Sequence, residues 1–173
     1  VQILLVNLVT DGLPAIALGV EPPEKDIMNH PPRKSTEGFF SGGLMWKIIF
    51  RGIFIGLSTL ASFTTVMRLG GSLEASRTAA LITLVMSQLI HVFECRSEHR
   101  SIFRMNPFGN MKLVLAVAVS FAALAAAVML PQLQTVFETV SLNSNELLTA
   151  FGFSAAVPLM SNIFGSLSEK RKK

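Results

Sequence analysis

The sequence has no tyrosine, one tryptophan, one cysteine and three histidines in 173 residues. A single cysteine, Cys95, excludes an intrachain disulfide. Without tyrosine, an aromatic belt at a membrane surface rests mostly on the 13 phenylalanines. Charge is scarce too. Asp, Glu, Lys and Arg make up 15% of the chain, against about 25% in a soluble globular domain. That deficit, with the charges gathered in short segments, excludes an ordinary soluble two-layer fold. There is no Gly-rich phosphate loop and no GxSxG elbow. No internal repeat is evident, so an inverted-repeat secondary transporter is not supported. The opening run has no basic flank and no initiator methionine, so it does not read as a signal peptide. The expectation is a piece of a longer protein.

What is present is apolar. Half of the residues are hydrophobic and the mean hydropathy is +0.52. Five apolar segments stand out, at about 1–20, 44–69, 78–93, 111–130 and 147–167. Each is near the roughly 20 residues that cross about 30 Å of hydrocarbon as a helix. Segments of this length are not barrel strands, so helices are the remaining solution. The predicted fold is all-α: a polytopic membrane bundle of five transmembrane helices, with the first broken at Gly12–Pro14. Membrane lipid is therefore the first expected partner.

The net charge of +4 does not point to nucleic acid, because the basic residues flank apolar runs and suit headgroups. Of the 15 basic residues, 13 fall in three regions: the 21–43 loop with the adjoining helix start, the 94–110 loop with Lys112, and the 168–173 tail. Alternating spans place all three on one face, which the positive-inside rule makes cytoplasmic. The C-terminus is then inside and Val1 outside. Such a topology suits a chain that starts just before an inward-going helix.

The chemistry concentrates in VQILLVNLVTDGLPAIALG, residues 1–19. Asp11 lies in mid-span, where an acidic residue costs about 2.5–3.5 kcal/mol on insertion scales. It must face a cavity or a partner. On a helix Asn7, Thr10 and Asp11 share one face. Together they offer an amide carbonyl, a hydroxyl and a carboxylate. These hard oxygen donors suit calcium, at roughly 2.3–2.6 Å. The absence of His and Cys among them argues against zinc or copper. Pro14 disturbs the preceding turn and could open the helix toward an ion path. The alternative is a kinked helix whose Asp11 pairs with a cation on a neighbour.

The stretch VNLVTDGLPAIALGVEPPEKDIM, followed by PPR, closely resembles the sixth transmembrane helix and following loop of P-type calcium ATPases of the sarcoplasmic-reticulum type and their bacterial relatives. The CRSE and SIF segments resemble a loop of the bacterial members. The resemblance covers nearly the whole chain and implies spans six to ten of a ten-span pump. It implies that Asn7, Thr10 and Asp11 are calcium ligands. Asp11 would bridge both ions in two-ion members, Asn7 would serve the ion retained in single-ion pumps, and Thr10 the other. Sodium/potassium and proton pumps typically carry aspartate where Asn7 stands, which favours calcium. Setting TLVMSQLIHVF on the family's eighth helix puts Val85 where a glutamate ligand is expected, with Gln88 one turn on. Valine cannot ligate, so one calcium per cycle is expected, with Gln88 a further candidate donor. Gln88 and Ser87 also read as ordinary interhelix hydrogen-bonding residues.

The resemblance further implies partners outside this chain: the rest of the pump, with its fourth and fifth helices and its phosphorylation domain. The 21–43 loop would couple that domain to the ion sites. No DKTGT phosphorylation motif is present, so ATP and Mg2+ would be bound only by the missing part. The piece alone is expected to be inactive. A bacterial plasma membrane is the expected location. A non-catalytic scaffold or regulatory module is the rival reading, and a manganese pump of the secretory-pathway type another. Those manganese pumps commonly have methionine where Thr10 stands, which argues mildly against that reading. Gly52 and Gly56 form a GxxxG that could pack on the fifth helix. His91, Glu94, Cys95, Glu98 and His99 cluster near one membrane face. They lack a tight zinc motif and read as a headgroup-level polar turn.

Overall fold

The computed structural model describes residues 1–22, 28, 44–96 and 107–170, with 8, 9, 107 and 159–170 described by backbone alone. All the regular structure among the described residues is helical. Most of the 21–43 and 94–110 loops lies outside the described residues, as do Glu98, His99 and the 171–173 tail.

The first helical stretch comprises α1 (Gln2–Leu5), a π-helical segment π1 (Val6–Gly12) and α2 (Leu13–Gly19). The chain then enters α3 (Leu44–Arg68), α4 (Leu73–Glu94), α5 (Met111–Met129), α6 (Pro131–Phe137) and α7 (Ser144–Lys170). Gln2–Gly19, Leu44–Arg68, Leu73–Glu94 and Met111–Met129 are long and apolar enough to cross a membrane. The fifth expected span falls within α7, where side chains past 158 lie outside the described residues.

The expected break at Gly12–Pro14 is instead a widened turn. Gly12 and Leu13 keep right-handed helical angles, φ −63° and −64°. Glycine is therefore not required there by conformation. Pro14 has no N–H to donate, and its ring presses on the carbonyl one turn back. A π turn, with its i→i+5 bonding, moves that carbonyl away without ending the helix.

Local chemistry sets the other boundaries. Ser72 caps α4, its hydroxyl accepting from the Ala75 N–H at 3.1 Å. α4 thus begins ahead of the apolar run at 78. Asn110 caps α5 by accepting from the Leu113 N–H at 3.0 Å. At the head of α7, the Asn143 N–H donates to the Glu146 carboxylate at 2.8 Å, and the Glu146 N–H donates to the Asn143 side chain at 3.0 Å. This is a reciprocal capping box. Between α3 and α4, Gly70 takes φ +88°. The Gly71 N–H reaches the Val66 carbonyl at 3.0 Å, closing a Schellman turn.

The core lies among α3, α4 and α7, with the first stretch and α5 against it. Val66, Ala79, Val85 and Ala150 are fully buried. Small side chains let these backbones approach, as membrane bundles require. Thr83 ties the trio together. Its hydroxyl lies 2.8 Å from the Ser62 hydroxyl on α3, 2.9 Å from the Ala79 carbonyl on α4 and 3.2 Å from the Ala150 carbonyl on α7.

Candidate functional site

The π segment presents the donor residues in a way that simple helical spacing does not foresee. Asn7 and Asp11 are exposed, whereas Thr10 is buried. The wider turn rotates Thr10 off the face that Asn7 and Asp11 share. Thr10 instead joins Val6, Pro14 and Ala17 in a buried stripe, and the stretch packs on α4 and α5. The Thr10 hydroxyl donates to the Val6 carbonyl one turn back. Such a bond bends a helix and satisfies a carbonyl within it.

Among the described residues, no cation pairs with Asp11. Asn7 and Asp11 thus offer an exposed amide oxygen and an exposed carboxylate one turn apart at mid-span. That arrangement can supply part of an oxygen shell to a hard cation, with the remaining donors coming from other elements. No group of three or more His, Cys, Asp or Glu residues among the described ones can hold a metal.

The α4 candidates lie elsewhere in the bundle. Val85 is fully buried in the core. The Ser87 hydroxyl and the Gln88 side-chain oxygen are buried, with no hydrogen-bond partner among the described residues. No hydrogen bond joins Gln88 to Asn7, Thr10 or Asp11. Gly52 and Gly56 line an open face of α3, where an added Cβ would meet nothing within 4 Å.

The first stretch is fastened at both ends. At its start, the Gln2 amide donates to the Phe137 carbonyl at 2.9 Å and the Glu138 carbonyl at 3.2 Å. Past its end, Glu21 receives Arg96 at 2.8 Å and the Asn110 amide at 2.6 Å. The same amide reaches the Ala17 carbonyl at 3.1 Å. The π turn thus sits between two anchored ends. Sequence reasoning missed the Glu21–Arg96–Asn110 clamp. Its members stand 75 and 89 positions apart in sequence, and no local pattern links them.

Of the expected polar turn spanning His91 to His99, the described part runs through the end of α4. Glu94 is the last residue of α4 and is 7% exposed, held by Arg51 of α3 at 3.3 Å and by His91 at 3.0 Å. Burial of a carboxylate calls for such partners.

Comparison with known proteins identifies the family of the chain. A family model described as "Cation transporting ATPase, C-terminus" matches residues 1–166. A calcium-transporting ATPase of Bacillus subtilis (strain 168) is 43% identical over 173 residues, which is 99% of this chain and 19% of that protein. A calcium-transporting ATPase of Listeria monocytogenes is 35% identical over 170 residues, 98% of this chain and 19% of that protein. The mouse calcium-transporting ATPase type 2C member 1 is 31% identical over 172 residues, again 99% of this chain and 19% of the relative. The chain thus spans about a fifth of the length of the curated relatives it matches.

Proposed function

The chain belongs to the cation-transporting ATPase family, as its C-terminal membrane region, and on that premise we propose that it supplies the sixth-helix calcium ligands of an ATP-driven calcium pump. The supporting observation is the π turn, in which Asn7 and Asp11 are exposed at mid-span while Thr10 is buried. An ionisable group at that depth is rarely spent on structure. The relatives named as calcium-transporting ATPases support calcium as the cargo.

In this reading, calcium arrives from the cytoplasm and is held by Asn7 and Asp11 together with donors from helices outside this chain. ATP and Mg2+ act on the remainder of the pump. Phosphorylation there moves the membrane helices and loosens the site, and protons neutralise Asp11 after the ion leaves. Valine at position 85 removes a ligand from a second site, and Thr10 already spends its hydroxyl on a carbonyl. One ion per cycle follows. The clustering of basic residues supports a cytoplasmic side for the 21–43 and 94–110 loops and the C-terminus.

Equilibrium calcium binding to the full-length protein is the test. About one tightly held ion per pump is expected, in the micromolar range typical of calcium sensors, together with calcium-dependent phosphoenzyme formation. Two tightly held ions would overturn the stoichiometry. Phosphoenzyme formation with manganese and not with calcium would overturn the choice of cargo.

A further inference from the structure

By its place in the sequence Asn110 is an ordinary cap for α5, its side-chain oxygen accepting from the Leu113 N–H at 3.0 Å. The structure gives the other half of the same amide a second task. Nδ2 donates to the Ala17 carbonyl at 3.1 Å and to Oε2 of Glu21 at 2.6 Å. Ala17 lies in the last turn of α2, where carbonyls lack a partner within the helix. Asn110 itself is 5% exposed, so water does not compete for these bonds.

The chemistry admits one orientation. Both amide protons are committed, and so is the oxygen. Turned over, the amide would set its oxygen against a carbonyl and a carboxylate, neither of which can donate. The carboxylate is fixed from its other side as well. Oε1 of Glu21 receives Nε and Nη2 of Arg96, each at 2.8 Å. A Cβ on Gly109 would stand 2.9 Å from that Nη2, so the glycine leaves the guanidinium its room. Positions 96, 109 and 110 thus converge on the end of α2 and the residue just past it.

This hold acts close to the candidate ligands. Asp11 stands six positions before Ala17, about 9 Å along a helix. Pro14 and Ala17 are buried, and α2 packs on α5. A short packed helix moves as a unit, so the placement of its end carries over to Asp11 at its start. We propose that Asn110 is a positioning residue for the ion site, setting the depth and rotation of the turn that bears Asn7 and Asp11 by holding α2 onto α5. The proposal rests on the calcium reading above and adds to it a residue that touches no ion. It makes α5 a support of the site without a ligand of its own.

The test is calcium-dependent phosphoenzyme formation by the full-length protein in membranes, read both as half-saturating calcium and as the maximal level. Asn110→Ser keeps a hydroxyl to cap α5 but is too short to reach Ala17 and Glu21. It should raise half-saturating calcium about two- to thirtyfold, the range for a residue coupled to a site it does not contact. The maximal level should stay near that of the unaltered protein. Thr83→Val loosens the bundle elsewhere and should leave half-saturating calcium in place. An unchanged value in Asn110→Ser would overturn the proposal. So would an equal rise in Thr83→Val, which would mark a general loss of stability. If Asn110→Ser fails to insert, Glu21→Ala, which leaves the α5 cap intact, decides the matter on the same two outcomes. Absence of calcium-dependent phosphoenzyme in the unaltered protein would instead overturn the calcium reading on which the proposal stands.

Discussion

The two halves of this membrane piece are built on opposite plans. The α3–α4–α7 trio is tightly interlocked. Thr83 links all three helices through one buried hydroxyl, and Val66, Ala79, Val85 and Ala150 on the same helices are fully buried. The first stretch is pinned at its ends by Gln2 and by the Glu21–Arg96–Asn110 clamp, and between them it contains a π turn. A buried polar contact among small residues holds helices in one arrangement. A widened turn trades some backbone bonding for the freedom to aim side chains. Rigidity therefore sits behind the candidate ligands, and adaptability sits at them.

The strongest way to break this contrast is Asp11→Asn in the full-length protein. It keeps the shape and removes the charge. Calcium-dependent phosphorylation from ATP should be lost, and retention of full calcium affinity would remove Asp11 from the site. Asn7→Ala should follow, lowering calcium affinity by at least about tenfold, as loss of a group around a metal commonly does. Equilibrium calcium binding measures both.

On the rigid side, Gly70→Ala forces a Cβ into a left-handed turn with φ +88°. It should destabilise the bundle by about 1–2 kcal/mol, read as a lower unfolding midpoint in mixed micelles. Thr83→Val keeps the volume but removes the shared hydroxyl. It should cost about 1 kcal/mol by the same assay, with calcium affinity little changed. The smallest effect expected is that of Thr10→Val. If the Thr10 hydroxyl serves the Val6 carbonyl, calcium affinity should stay near its starting value. A loss as large as that of Asn7→Ala would move Thr10 into the ion's coordination shell.

Much of the architecture was legible in the sequence. Runs of apolar residues long enough to cross a bilayer fall within helices, because a helix in lipid must satisfy its own backbone. Asp11 was legible as an anomaly because charge at that depth is costly. The site's internal geometry was less so. Spacing in regular α-turns put Asn7, Thr10 and Asp11 on one face. The π turn sends Thr10 inward beside Val6 and Pro14. Proline announced a disturbance, but not whether the chain would part or the turn would widen.

The sequence by itself determined the solvent this chain is built for, where its helices run and which oxygen-bearing side chains stand at mid-span. These follow from short-range rules of hydropathy and periodicity. Only the tertiary structure decided which donors point outward and that Glu21 meets Arg96 and Asn110. It also decided that Arg51 steadies the His91–Glu94 pair. The reason is physical: such contacts join groups distant along the chain, and helix packing alone settles which of them meet.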